Sequence, residues 1–252
     1  APLVIVRIWR TRPLPDGPVR RRLEALCQRM GLGYRRLLIW QSRGALANAG
    51  VMGLIAQVRY VLLSDGLLAR MAPEQIEAVF AHEAGHIASH HIFYSMLFVL
   101  SLGVLAAFAA EGVALWLALD PYVAAVLAGP AVLAAVLGAF GWVSRRFERQ
   151  CDVIAAWASA PGGPRDDRIT PEGAARFASA LQRIAHLNGV PASQRNWRHG
   201  SIADRASYIL WLGGRGGSRT EIDRVVARIR AGIWLLAAAA AGVALWLGPT
   251  MA

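Results

Sequence analysis

His82 and His86 stand four residues apart, and Glu83 directly follows the first of them. On a helix this spacing puts both imidazoles on one face, one turn apart, near enough to share a metal ion. Neutral imidazole suits zinc. A carboxylate beside the first histidine is placed to take a proton from a water that such a metal polarises. The predicted chemistry is therefore metal-assisted hydrolysis, with His82 and His86 as ligands of one zinc ion and Glu83 as general base. A catalytic zinc takes three protein ligands and keeps one position open. Glu148 and Asp152, again four apart, are the candidates. Glu148 would be the third ligand. Asp152 would accept a hydrogen bond from a ligand imidazole and so fix its tautomer. Two plainer readings compete: chance histidines on an exposed helix, and Glu148 as ion-pair partner of the neighbouring Arg145, Arg146 and Arg149.

The remaining histidines fit less well. His90 follows His86 by four residues, about 6 Å further along the same helical face. A ligand there would close the position that the reacting water needs. His91 is expected at a membrane surface, and His186 on the surface or in the core of an amphipathic helix.

Particular elements must position these groups. Leu23, Leu26, Cys27 and Met30 share one side of a predicted helix over 19–30, started by the Pro-Asp-Gly-Pro at 15–18. Residues 36–41 and 58–64 read as strands of a small sheet, the second ended by Asp65-Gly66. The intervening 44–53 is small and flexible in composition. The helix carrying His82 starts at Pro73, with Ile76, Val79, Phe80 and Ile87 on one side. Residues 92–110 and 122–144 then form runs of 19 and 23 residues without charge, separated at Asp120-Pro121. Each is long enough to cross a bilayer. Together they predict a transmembrane helical hairpin that leaves and returns on one side, bringing Glu148 back toward His86. Beyond it come a helix from Glu148 toward Ala160, a polar loop, an amphipathic helix over 171–188, a helix over 202–212 and a glycine-rich break. Ser218 with Glu221 forms a capping box, and the following helix runs into a third apolar stretch over 231–247. The fold class is mainly α with a small β-sheet. Its segments are an N-terminal catalytic part (1–91), the hairpin (92–144), a C-terminal catalytic part (145–217) and a final helix (218–252).

Composition supports the same picture. The 252 residues are 56% hydrophobic, with 27 basic side chains, all arginine, and a net charge of +11. No stretch interleaves arginine with exposed aromatics, which argues against nucleic acid as a partner. The arginines flank the apolar runs instead. His91, Arg145 and Arg230 share one end of the three spans, while Asp120 and the uncharged tail after Gly248 mark the other. Positive-inside reasoning puts the catalytic segments on the cytoplasmic side of a multi-pass protein, in a bacterial inner membrane. The partners expected are a lipid bilayer and a polypeptide substrate. No secretory signal opens the chain, and Cys27 and Cys151 form no disulfide framework.

His82-Glu83-x-x-His86, a hairpin of spans, and then Ser144-Arg145-x-x-Glu148-x-x-x-Asp152 resemble the membrane gluzincins, the zinc peptidases that include the HtpX heat-shock protease and the CAAX prenyl protease. Asn48-Ala49 followed by the run from Arg59 to Asp65 looks like the family's segment before the zinc helix. His199-Gly200-Ser201, with Arg205 six residues after the histidine, looks like its downstream His-Pro motif. The resemblance implies zinc-dependent endopeptidase activity at a membrane. It assigns His82, His86 and Glu148 to zinc and Glu83 to catalysis, and gives Asp152 a supporting role. It gives His199 contact with the tetrahedral intermediate and Arg205 the task of orienting the site. Asn48, Ala49, Gly50 and Val51 would offer an edge to substrate backbone. Gly200 stands where the family usually has proline, and Cys151 where alanine is usual. Cys151 is expected as a small buried side chain; as a fourth ligand it would close the zinc. Two branches of activity follow from the resemblance, cleavage of misfolded membrane proteins and trimming of prenylated C-termini. A reading of another class is a membrane scaffold with a vestigial metal site.

Overall fold

The computed structural model describes residues 8–53 and 55–247; the tail after Gly248 lies outside them. The chain divides into two compact units, each built from separated segments. One comprises Ala1–His90 with Glu148–Asp223, the other His91–Phe147 with Arg224–Ala252.

The first unit holds a four-stranded mixed sheet in the order β1 (Thr11–Pro13), β2 (Arg36–Trp40), β4 (Tyr60–Ser64), β3 (Ala49–Met52). β2 and β4 run parallel with Leu37 opposite Val61 and Ile39 opposite Leu63. β1 and β3 lie antiparallel at the two edges. Side chains alternate between faces along a strand, so Leu38, Tyr60 and Leu62 share one buried face with Trp40 and Met52 packed on it. Leu37, Ile39, Val61 and Leu63 fill the other face. β3 forms within the segment read from sequence as flexible. Its residues carry no charge, and its ladder with β4 supplies the order that composition did not signal.

Helix α1 (Pro18–Arg29) buries Leu23, Leu26 and Cys27. Asp65-Gly66 ends β4, as the sequence predicts, and also opens a short helix α2 (Asp65–Arg70). Ser64 is its N-cap, with Oγ accepting from Leu67 N–H at 3.1 Å. Helix α3 (Pro73–Ala88) buries Ile76, Val79 and Phe80, each contributing about 2 kcal/mol. Gln75 Oε1 accepts from Ala72 N–H at 3.3 Å at its start. The helix stops short of His90, which takes a left-handed φ of 53°. His90 thus lies off the helical face expected for it and is exposed. α6 (Pro171–Leu187) is capped by Thr170, and α7 (Ile202–Gly214) by Ser201. Gly213 lets α7 approach α6 closely: a Cβ there would stand 2.6 Å from Ala174 Cβ.

The second unit consists of α4 (His91–Trp116), the first part of α5 (Pro121–Ala158) and the main part of α8 (Arg219–Leu247). These are the three helices, among the described residues, long and apolar enough to cross a membrane. The 26 residues of α4 extend about 39 Å, against about 30 Å of hydrocarbon. The α4–α5 turn is tight. Leu119 N–H returns to Ala114 C=O at 3.0 Å, Ala118 is left-handed, and Asp120 Oδ1 accepts from Tyr122 N–H at 2.8 Å. His91, expected at a membrane surface, is buried and stacks on Phe147 with ring centroids 4.2 Å apart. The second apolar run and the segment carrying Glu148 were read as successive elements. They form one continuous 38-residue helix, α5.

Candidate metal centre

The candidate centre lies wholly within the first unit. α3 presents His82 and His86 one turn apart, with ring centroids at 5.1 Å. α5 brings Glu148 against both. His82 Nε2 is 3.4 Å from Glu148 Oε2, and His86 Nε2 is 3.3 Å from Glu148 Oε1. A donor atom from each of the three residues lies within 4.8 Å of the others. Two atoms bound at about 2.0–2.1 Å to a tetrahedral metal stand about 3.3 Å apart, so the two edges to Glu148 have the length expected in a coordination site. Two imidazoles and one carboxylate form a donor set that zinc accepts while keeping a fourth position. Glu83, next to His82 on α3, is partly exposed.

Asp152, one turn beyond Glu148, is buried between two partners. Its Oδ1 is 3.0 Å from His82 Nδ1, at ion-pair distance but off the line of a well-formed hydrogen bond. Arg205 grips the same carboxylate with two prongs, Nε to Oδ2 at 2.9 Å and a terminal nitrogen to Oδ1 at 2.6 Å. It also approaches Glu148 Oε2 at 3.7 Å. The first turn of α7, capped by Ser201 Oγ on Asp204 N–H at 3.0 Å, sets that guanidinium in place. Phe177 on α6 stacks on His82 from the other side, centroids 6.0 Å apart at 13°. No motif signals Phe177; its only trace in sequence is a place on an amphipathic face.

The electrostatics follow from burial. Two buried carboxylates, Glu148 and Asp152, face one buried guanidinium, so a positive charge is still required near the imidazoles. Burial works against the His82 cation, but the contacts and charges of Asp152 and Glu148 outweigh it and hold its pKa up to about 10. Burial would raise the Glu148 carboxyl, yet hydrogen bonds from His199, His82 and His86 hold it far below the usual range. Asp152 is likewise depressed, against burial, chiefly by Arg205. A metal ion at the imidazoles meets the same demand, since ligand imidazoles bind it without their proton.

His199 reaches the centre from a loop, with Nδ1 3.0 Å from Glu148 Oε1 and its side chain 40% exposed. The ring thus hydrogen-bonds the candidate ligand carboxylate. An antiparallel bridge pins the loop: Asn196 N–H to Gly200 C=O at 3.1 Å, Gly200 N–H to Asn196 C=O at 2.8 Å. Asn196 Oδ1 also accepts from Arg198 and His199 N–H. Gly200 has φ +77°, which proline cannot adopt. A left-handed glycine therefore stands where the resemblance implies proline, in a turn that brings His199 to Glu148. Cys151 is buried, with Sγ 3.2 Å from where a Cβ on Gly85 would stand. The glycine inside the His-Glu-x-Gly-His run is thus the point where α3 and α5 cross. Of the proposed substrate edge, Asn48 is exposed, Ala49 is buried, and Gly50 and Val51 are half-buried on edge strand β3.

The chain is mainly helical with a small mixed sheet, and three helices among the described residues are long and apolar enough to cross a membrane. Residues 13–170 match the sequence profile of peptidase family M48, and the chain belongs to that family. It is similar to the Protease HtpX homolog of Aeropyrum pernix, 29% identical over 201 residues, covering 74% of this chain and 60% of that protein. It is similar to CAAX prenyl protease 1 of Saccharomyces cerevisiae, 31% identical over 88 residues, covering 34% of this chain and 19% of that protein. The crystal structure of S. mikatae Ste24p shares the fold, with a TM-score of 0.62 at 19% identity over 82% of this chain and 52% of that one. The chain thus spans less than two thirds of the length of each of these relatives.

Proposed function

We propose that this chain is a zinc-dependent endopeptidase of membranes that cleaves misfolded or unassembled membrane proteins. The observation that carries the reading is the convergence of His82, His86 and Glu148, within 4.8 Å of one another, beside Glu83 on the same helix. Family membership supports a hydrolase and a metal. His82, His86 and Glu148 would hold the ion. When bound, zinc supplies Lewis acidity that lowers the pKa of a water toward about 7 and polarises the scissile carbonyl.

The chain's own residues do the rest. Glu83 takes a proton from the water, whose oxygen adds to the carbonyl carbon. As the C–N bond breaks, Glu83 returns the proton to the leaving nitrogen. Asp152 fixes the orientation of His82 through Nδ1, and Arg205 holds Asp152 in turn. His199 donates to the oxygen that gains negative charge. β3 offers its edge to the substrate backbone. The arginines beside the apolar runs favour a bacterial inner membrane with the centre on the cytoplasmic side.

The test is zinc content and cleavage of casein by purified chain, wild type beside Glu83→Gln. Both proteins should hold one zinc, and the variant should lose about 10³-fold in kcat. Full activity in Glu83→Gln, or cleavage indifferent to a chelator, would overturn the mechanism. Zinc without cleavage would favour a scaffold. The longer match to the Protease HtpX homolog, 201 residues against 88 for CAAX prenyl protease 1, favours protein quality control. A prenylated peptide cut far faster than its unmodified form would move the substrate class to that of the CAAX prenyl protease.

A further inference from the structure

Ala47, buried just ahead of β3, is held through both of its main-chain groups by one side chain. Its N–H donates to Asn188 Oδ1 at 3.0 Å, and its C=O accepts from Asn188 Nδ2 at 2.9 Å. Asn188 is the residue on which α6 ends, 141 positions along the chain. A primary amide that donates and accepts at one residue reproduces the pairing that a neighbouring strand would make.

The side from which it does so follows from the register. Main-chain groups alternate in direction along an antiparallel strand. Ser64 N–H donates to Asn48 C=O at 2.9 Å, and the ladder continues with Ala49 opposite Leu63, Gly50 opposite Leu62 and Val51 opposite Val61. Asn48 and Gly50 therefore turn their N–H and C=O toward β4. Ala47, Ala49 and Val51 turn theirs toward the open edge. Asn188 fills the first rung of that edge. Among the described residues nothing pairs with the next two rungs, at Ala49 and Val51.

We propose that Asn188 is a positioning residue that terminates the open edge and sets the register of an added strand. Substrate backbone pairs with Ala49 and Val51 and is barred from Ala47. This rests on the endopeptidase reading with β3 as substrate edge. An in-face slip along a strand moves in steps of two residues, so freeing Ala47 would offer the substrate one further in-face register. In the intact protein that register is closed, and the peptide is held in a single alignment.

The experiment is backbone hydrogen exchange on the full chain in detergent, carrying Glu83→Gln, with and without a casein peptide that wild type cleaves. Without peptide, the Ala47 amide should be slow and the Ala49 and Val51 amides fast. Saturating peptide should slow Ala49 and Val51 by about tenfold or more and leave Ala47 unchanged. Asn188→Ala should free the Ala47 amide and let peptide slow it. In otherwise wild-type chain, Asn188→Ala should lower kcat and KM together, by about two- to fivefold, because peptide held in the extra register occupies the edge unproductively. Asn188→Asp, which keeps the acceptor for Ala47 N–H, should recover part of that loss. Ala47 exchanging as fast as Ala49 in the free chain would sink the inference even if Asn188→Ala failed to fold. So would unchanged kcat and KM, or a loss of zinc content alongside their change. Absence of chelator-sensitive cleavage in wild type would instead remove the endopeptidase reading itself, which the exchange pattern of the free chain does not depend on.

Discussion

The two units of this chain treat polar and apolar groups in opposite ways. In the first, apolar side chains such as Phe80, Phe177, Leu63 and Ile209 are fully buried. The charges taken inside are matched to partners: Glu148 and Asp152 meet Arg205 and three imidazoles. In the second, large apolar side chains face outward, among them Leu100, Leu115, Trp116, Tyr122, Leu235 and Leu245. Water does not tolerate such a contiguous surface, and helices with their backbone groups satisfied internally are what hydrocarbon requires. One sequence thus writes for two solvents, switching after His90, again at Glu148 and once more after Asp223.

The contrast can be broken from either side. The largest effect is expected at Arg205. Replacing it by Leu removes the two-pronged partner of a buried carboxylate and leaves Asp152 only the His82 ring, which costs about 3–5 kcal/mol. Thermal unfolding in detergent should show a clear fall in Tm, with Arg205→Lys intermediate. An unchanged Tm would mean that Asp152 is not held as its two short contacts imply. In the second unit the corresponding insult is a charge facing outward. Leu100→Arg, midway along α4, should cost about 2.5–3.5 kcal/mol of insertion, read as a loss from the membrane fraction. Equal recovery of Leu100→Arg and wild type would argue that α4 faces water. The smallest effect concerns Cys27, whose thiol burial, with Glu24, pushes from 9.0 up to about 12. It should resist iodoacetamide at pH 8.5 until the chain unfolds. The unfolded thiol ionises above pH 9 while the folded one keeps its proton, so this group subtracts stability as pH climbs from 9 toward 12. Rapid alkylation of native protein would place Cys27 outside the core of the first unit.

Legibility followed the range of the interactions. His82, Glu83 and His86 are fixed by one helical turn, and Glu148 and Asp152 by another, so spacing alone proposes them. The apolar runs are visible because a membrane span is a local property of composition. What escaped was non-local or depended on single backbone angles. β1 and β3 are three and four residues long and exist through their ladders. α2 hinges on one cap by Ser64, and the left-handed His90 ends α3 earlier than periodicity suggests. The fork of Arg205 on Asp152 joins residues 53 apart, and the amide of Asn188 reaches 141 positions back. Glu148 meeting two imidazoles was readable only because a hairpin of spans must return to its starting side.

Gly200 carries a lesson for engineering. Stabilising a protein by restoring the residue common among its relatives is often rewarding, and here that rule would suggest proline. In this chain the exchange would demand a φ near −65° where the turn needs +77°, and would delete the N–H that Asn196 receives. The histidine loop would have to be rebuilt around it. Borrowing from relatives is sound at this position only if the whole turn, residues 196–200, is transplanted together.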